Sequence, residues 1–213
     1  MGESVEQPLI YLITDGAATA ENFTEKKPRI LRLVETAVLA KVSLIQIREK
    51  NLPARMVFEL ARCAAALTRN GATKLLVNDR ADIALAARAD GVHLTSRSIA
   101  ADVVKKTFPE NFIVGVSAHS IESVEDARKR GADFATFSPI FPSLGKAHSQ
   151  GIAKLREVCQ SVKPFPVIAL GGIDATNFRE VLQSGASGFA AVRFLNDENN
   201  LRNLAADFRG WRG

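Results

Sequence analysis

The sequence predicts the α/β class and, within it, a single (β/α)8 TIM barrel. Apolar runs of four to seven residues alternate with stretches of helical period about eight times. Polar residues or glycines stand directly after several of those runs, among them Arg48, Lys50, Asn78, Asp79, Gly171 and Gly172, which is where such a barrel keeps its chemistry. An open doubly wound sheet is the rival fold. It wants a Gly-x-Gly-x-x-Gly turn after its first strand, and Thr14-Asp15-Gly16 is not one.

The first strand falls at 8–14, followed by a helix over 29–41 whose Ile30, Leu33, Val34, Ala37 and Val38 share one face. Strand 43–48 leads to helix 53–70, where Asn51-Leu52-Pro53 offers a cap and a first-turn proline. Strand 74–78, helix 80–88, strand 91–94 and helix 98–107 repeat the unit. Strand 112–117 precedes helix 120–130, opened by Ser120 as cap with acids early in the helix. The pattern closes with strand 134–138, helix 151–162, strand 166–170, helix 174–184, strand 188–192 and helix 198–209. Gly71, Gly131 and Gly185 read as helix stops. Strict alternation makes the sheet parallel, and the recurring turns before strands (Ala89-Asp90-Gly91, Gly131-Ala132-Asp133, Gly185-Ala186-Ser187) favour similar units closed into a ring.

A chain of 213 residues with 46% hydrophobic content fits one domain spanning 1–213. Its 28 Lys and Arg are scattered among 23 acids, for a net charge of +5, and it has one Trp and one Tyr. A nucleic-acid binder gathers its cations on one face and interleaves aromatics, so an anionic metabolite is the better partner. Cys63 and Cys159 lie in amphipathic helical stretches without metal or redox spacing, no signal peptide or membrane-length apolar run is evident, and Met1-Gly2 lacks a myristoylation pattern. The expectation is a reduced, cytoplasmic protein with no membrane partner and a possible homodimer.

Given a barrel, the residues after each strand line one mouth. Gly171-Gly172, with the segment after the eighth strand, can hold a monophosphate through backbone N–H groups. Arg48, Lys50, Asn78, Asp79 and Lys146 combine three cations with a carboxylate, which suits a diphosphate carried with Mg²⁺. The small, polar stretch 143–150 reads as a mobile lid.

Six ordered motifs then carry a resemblance. They are Gln46-Ile47-Arg48-Glu49-Lys50, Asn78-Asp79-Arg80-x-Asp82-Ile83-Ala84, Gly91-Val92-His93-Leu94, Gly115-Val116-Ser117-x-His119-Ser120, Ser138-Pro139-Ile140-Phe141-Pro142 and Ile168-Ala169-Leu170-Gly171-Gly172-Ile173. Running from about residue 9 to 195, they resemble the thiamine phosphate synthases and their TenI-like relatives. The resemblance implies a transferase of thiamine biosynthesis that joins hydroxymethylpyrimidine diphosphate to thiazole phosphate and releases diphosphate. It implies that Arg48, Lys50, Asn78 and Lys146 bind the diphosphate, that Asp79 holds the metal, and that Gln46 and Ser117 touch the pyrimidine. Gly172 and its neighbours would take the thiazole phosphate.

The chain also departs from that pattern. After Gly91-Val92-His93-Leu94 such synthases continue Gly-Gln-x-Asp, with the Asp as second metal ligand; here Thr95-Ser96-Arg97-Ser98 follows, with Ser98 in its place. Ser143 and Gly145 stand where two threonines are usual before Lys146, and Arg193 replaces a serine that binds the thiazole phosphate. These departures resemble the TenI-like branch, which aromatises thiazole phosphate by proton transfer with a histidine such as His119 as carrier. Synthase, tautomerase and a non-catalytic thiazole-phosphate binder therefore all stand open. Plainer roles are available too: His93 as a hydrogen-bonded wall residue, His148 with none, His119 as a neighbour of the Ser120 cap, Gly171-Gly172 as a tight turn, and both cysteines as core fillers. No zinc set and no Ser-His-Asp nucleophile is present.

Overall fold

The computed structural model describes residues 7–142 and 148–208. Eight parallel strands close into a barrel in sequence order, β1 pairing with both β2 and β8. The first half comprises β1 (Leu9–Ile13), α1 (Phe23–Leu39), β2 (Leu44–Ile47), α2 (Ala54–Thr68), β3 (Lys74–Asn78), α3 (Ala81–Ala86), β4 (Gly91–Leu94) and α4 (Ala101–Thr107). The second half comprises β5 (Ile113–Ala118), α5 (Ile121–Lys129), β6 (Phe134–Phe137), α6 (Gly151–Ser161), β7 (Val167–Leu170), α7 (Phe178–Gln183), β8 (Gly188–Ala191) and α8 (Glu198–Phe208). Every expected strand and helix is present, with ends shifted by a few residues.

One boundary moves further. Helix α1 begins at Phe23, six residues ahead of the expected start, and carries Pro28 inside it. Pro28, just ahead of the expected start, sits in the second turn of this helix, where it removes a single N–H donor. The upstream turn is held by Asn22, whose carbonyl accepts from Lys26 N at 2.9 Å, and by Phe23, which is buried in the core. Likewise α2 opens one residue later than the proline suggests, with Pro53 as its N-cap. Ser120 caps α5 as expected, through a reciprocal pair with Ser123.

Helix stops are split in an instructive way. Gly131 and Gly185 take the left-handed conformation after α5 and α7, at φ +78 and +94, whereas after α1 and α3 that position is filled by Lys41 (φ 59) and Arg88 (φ 58). Gly71 shows no positive φ. The left-handed stop therefore neither requires a glycine nor follows from one.

The pleat divides the strand residues into two sets. Outward residues such as Leu12, Ile45, Leu75, Ala135 and Phe189 pack beneath the helices. Inward residues fill the barrel: Tyr11, Ile13, Leu44, Leu76, Phe134, Ile168 and Ala190 form one cluster. Toward the strands' C-terminal ends the inward positions turn polar, which converts a packed barrel into an open mouth. Cys159 is buried and its thiol is pushed up to about 11 by that burial, and Cys63 is half-buried, so both serve as fillers. Among the described residues no helix is long and apolar enough to cross a membrane.

Candidate active site

The mouth holds a cavity of about 380 Å³ lined by residues from all eight strand ends, among them Gln46, Arg48, Lys50, Asn78, His93, Ser117 and His119. Parity explains the selection. Gln46, Arg48 and Lys50 are spaced by two and face the cavity, whereas the intervening Glu49 turns away and is buried. Its carboxylate accepts from Ala18 N at 2.9 Å and Gly16 N at 3.3 Å, fastening the β1–α1 loop, and burial raises its pKa above the ordinary carboxylate value.

A hydrogen-bonded chain forms the floor. Gln46 Nε2 donates to the Tyr11 hydroxyl at 2.7 Å, that hydroxyl lies 3.2 Å from His93 Nδ1, and His93 Nε2 lies 3.0 Å from Ser117 Oγ. Since the Tyr11 oxygen accepts from Gln46, its own proton goes to Nδ1. Nε2 then carries the imidazole proton and donates to Ser117. Ser117 keeps a hydroxyl proton and Gln46 keeps a carbonyl oxygen, one donor and one acceptor on the cavity floor. His93 and Tyr11 are buried; His93 is pushed down to about 3 by loss of solvation and secondarily by the Arg48 charge, and the Tyr11 phenol is pushed upward by burial. The floor is therefore neutral. The histidine is a wall residue, as its apolar setting implied, and Tyr11 is a buried link between Gln46 and His93 that strand assignment alone concealed.

The β7 end supplies a shelf. Gly171 (φ +106) and Gly172 (φ +66) adopt backbone conformations that favour glycine, and a Cβ on either would meet the loop after β6: Pro139 Cα at 2.8 Å from Gly171, Phe141 Cβ at 2.7 Å from Gly172. Ile140 N and Phe141 N donate to Leu170 O and Gly171 O, both at 3.0 Å, zipping the two loops together. The pair thus does more than turn the chain. Gly171 lines the cavity, whereas Gly172 does not and Arg193 is exposed beside the lining residue Val192. Ser143 and Lys146 lie outside the described residues, as does most of the expected lid.

His119 stands at the rim, its Nδ1 2.8 Å from the Ser138 carbonyl. That carbonyl can only accept, so Nδ1 carries a proton, and in the neutral ring Nε2 presents a lone pair toward the mouth's rim.

Asp79 lines an adjoining cavity with Lys50, Asn78, Arg80 and Arg97. It sits at φ 63, an uncommon conformation for a side-chain-bearing residue, and accepts a hydrogen bond from the Ser98 hydroxyl. Arg80 is occupied by both oxygens of Asp82, at 2.8 and 2.5 Å. Among the described residues no group of three His, Cys, Asp or Glu could hold a metal. Mg²⁺ needs just one or two carboxylates when substrate phosphates complete its shell, so Asp79 fits a metal arriving on a diphosphate, not one resident on the protein.

A closed barrel with a cationic wall, a neutral polar floor and a glycine shelf defines an enzyme class that acts on small phosphorylated molecules. The chain belongs to the thiamine monophosphate synthase family, whose sequence profile matches residues 10–195. It is 44% identical over 190 residues to a protein of Aquifex aeolicus provisionally called thiamine-phosphate synthase 2, covering 88% of this chain and 97% of that one. To the thiamine-phosphate synthase of Pyrococcus furiosus it is 35% identical over 202 residues, covering 94% of this chain and 92% of the other. A solved thiamine phosphate pyrophosphorylase from Pyrococcus furiosus superposes with a TM-score of 0.78 at 32% identity, over 96% of this chain and 98% of that one.

Proposed function

We propose that this protein condenses hydroxymethylpyrimidine diphosphate with thiazole phosphate, forming thiamine phosphate and releasing diphosphate. The observation that carries this reading is a single cavity with three cations and no carboxylate among its lining residues, set over a neutral donor–acceptor floor. An aminopyrimidine offers the complement: its amine donates to Gln46 and a ring nitrogen accepts from Ser117.

The pyrimidine carbon–oxygen bond breaks first, the electron pair leaving with diphosphate, and the resulting cation is delocalised into the ring. Arg48, Lys50, Asn78 and Lys146 meet the charge on the departing oxygens. A neutral His93 matters here, because an imidazolium beneath the ring would repel the nascent cation. The thiazole nitrogen then captures the carbon, with the thiazole phosphate placed near Gly171, Gly172 and the Val192–Arg193 segment. A magnesium ion carried by the diphosphate and touched by Asp79 would add charge neutralisation.

Incubation with both substrates tests this directly. Thiamine phosphate and diphosphate should appear in equal amounts, and Arg48→Ala should lower turnover by about 100-fold. Absence of product with purified, folded protein would overturn it. The orientation of His119 supports one other reading, tautomerisation of a thiazole phosphate with Nε2 as base; proton exchange on the thiazole in the absence of the pyrimidine substrate would favour it.

A further inference from the structure

We infer that Arg97 is a diphosphate-binding residue, and that with Arg48 and Lys50 it lets the mouth grip a diphosphate without a divalent cation. Arg97 lies on the wall of both cavities, the 380 Å³ one that receives Arg48 and the adjoining one that contains Asp79. It projects from a turn fixed at both ends. Thr95 N donates to Ser98 Oγ at 2.7 Å and Ser98 N to Thr95 O at 3.1 Å, while the Ser98 hydroxyl is tied to Asp79. Anchored this way, the turn presents the guanidinium without depending on ligand to order its backbone.

The charge balance points the same way. Arg48 and Arg97 have no carboxylate partner among the described residues, whereas Arg80, nearby, is consumed by Asp82. Unpaired surface arginines are common, but these two share one concavity with Lys50 and no acid lines it. A diphosphate ester carries about three negative charges near neutral pH, which three cations can match. Ser98, for its part, gives one hydroxyl hydrogen bond to Asp79 where a second carboxylate would have strengthened a metal site. Metal affinity is thereby weakened and anion affinity strengthened by the same short turn.

This inference rests on the synthase reading for its substrate, and binding separates the two. Inorganic diphosphate is titrated calorimetrically into the full chain in EDTA and again in Mg²⁺. The native protein should bind in EDTA with affinity within about tenfold of that in Mg²⁺. Arg97→Gln should weaken binding in EDTA by about tenfold or more, while Arg128→Gln, an equal change of net charge on the exposed face of α5, should leave it unchanged. Ser98→Asp should make binding depend on Mg²⁺. No binding in EDTA, or equal affinities for the Arg97 and Arg128 variants, overturns the inference even if thiamine phosphate is formed; metal-free binding without product would instead sink the synthase reading alone.

Discussion

The Tyr11 hydroxyl and His93 Nδ1 meet 3.2 Å apart in the barrel interior, joining β1 to β4 across the lumen although those strands are not neighbours in the sheet. Through this contact the orientation of Gln46 on one side and Ser117 on the other become dependent on each other.

Tyr11→Phe should therefore cost stability and not merely polish. It leaves the buried Nδ1 and the Gln46 amide without their partner, a loss of about 1–3 kcal/mol. Urea unfolding of the variant should show a lower midpoint at unchanged slope, together with a raised KM for the pyrimidine substrate. An unchanged midpoint would mean that the chain of hydrogen bonds is not formed.

His93 should imprint a pH dependence. Its pKa is depressed from 6.5 to about 3, so between those values the unfolded chain takes up a proton that the native protein refuses. Stability attributable to this group is full above pH 6.5 and falls as pH drops through the window, by at most about 1.4 kcal/mol per pH unit. Glu49, raised above 4.5, acts in the opposite sense, so the comparison is the native protein against His93→Gln at pH 7, 6 and 5. Parallel stability curves for the two would contradict the burial of a neutral imidazole.

Gly171→Ala and Gly151→Ala separate crowding from backbone strain. Both glycines have positive φ, +106 and +75, but a Cβ at 171 would lie 2.8 Å from Pro139 while nothing stands within 4 Å of one at 151. The first should destabilise by about 2 kcal/mol or more and the second by about 1 kcal/mol. Thermal unfolding of the two variants provides the measurement, and equal shifts would show that the two loops are not in contact.

His119→Gln discriminates between the two chemistries. Condensation needs no base at this position, so turnover to thiamine phosphate should fall less than about tenfold, whereas proton exchange on a thiazole phosphate would fall by about 100-fold or more. Steady-state assays of both reactions on one preparation decide the matter.

The architecture was legible because each strand is a compact apolar run and each helix carries its own period, so local pattern and global fold agree. The start of helix α1 is less legible, because the apolar face that marks it begins at Ile30 while the turn ahead of it is held by the burial of Phe23. At the mouth, Gln46, Arg48, Lys50, Asn78, Ser117, His119 and Gly171 could be named from strand ends alone, because in a parallel barrel every C-terminal end points the same way. The links that join the floor residues could not. Tyr11, Gln46, His93 and Ser117 come from four strands, and their meeting depends on stagger around the cylinder, such as His93 lying opposite Gly115, which no single strand records. A lone tyrosine inside an apolar strand was the available hint, since a buried phenol needs a partner. Arg97 stands in the run Thr95-Ser96-Arg97-Ser98 but is not marked by it as a binder, because the role inferred for it comes from a turn geometry and not from a motif.

The alternation of Arg48, Glu49 and Lys50 has a consequence for how this enzyme can change. Insertion or deletion of one residue ahead of this triplet would swing the carboxylate into the anion seat and both cations toward the helices, abolishing substrate affinity and unfastening the first loop together. Substitutions here can be sampled one at a time, but indels cannot, and laboratory diversification of this segment should hold its length constant.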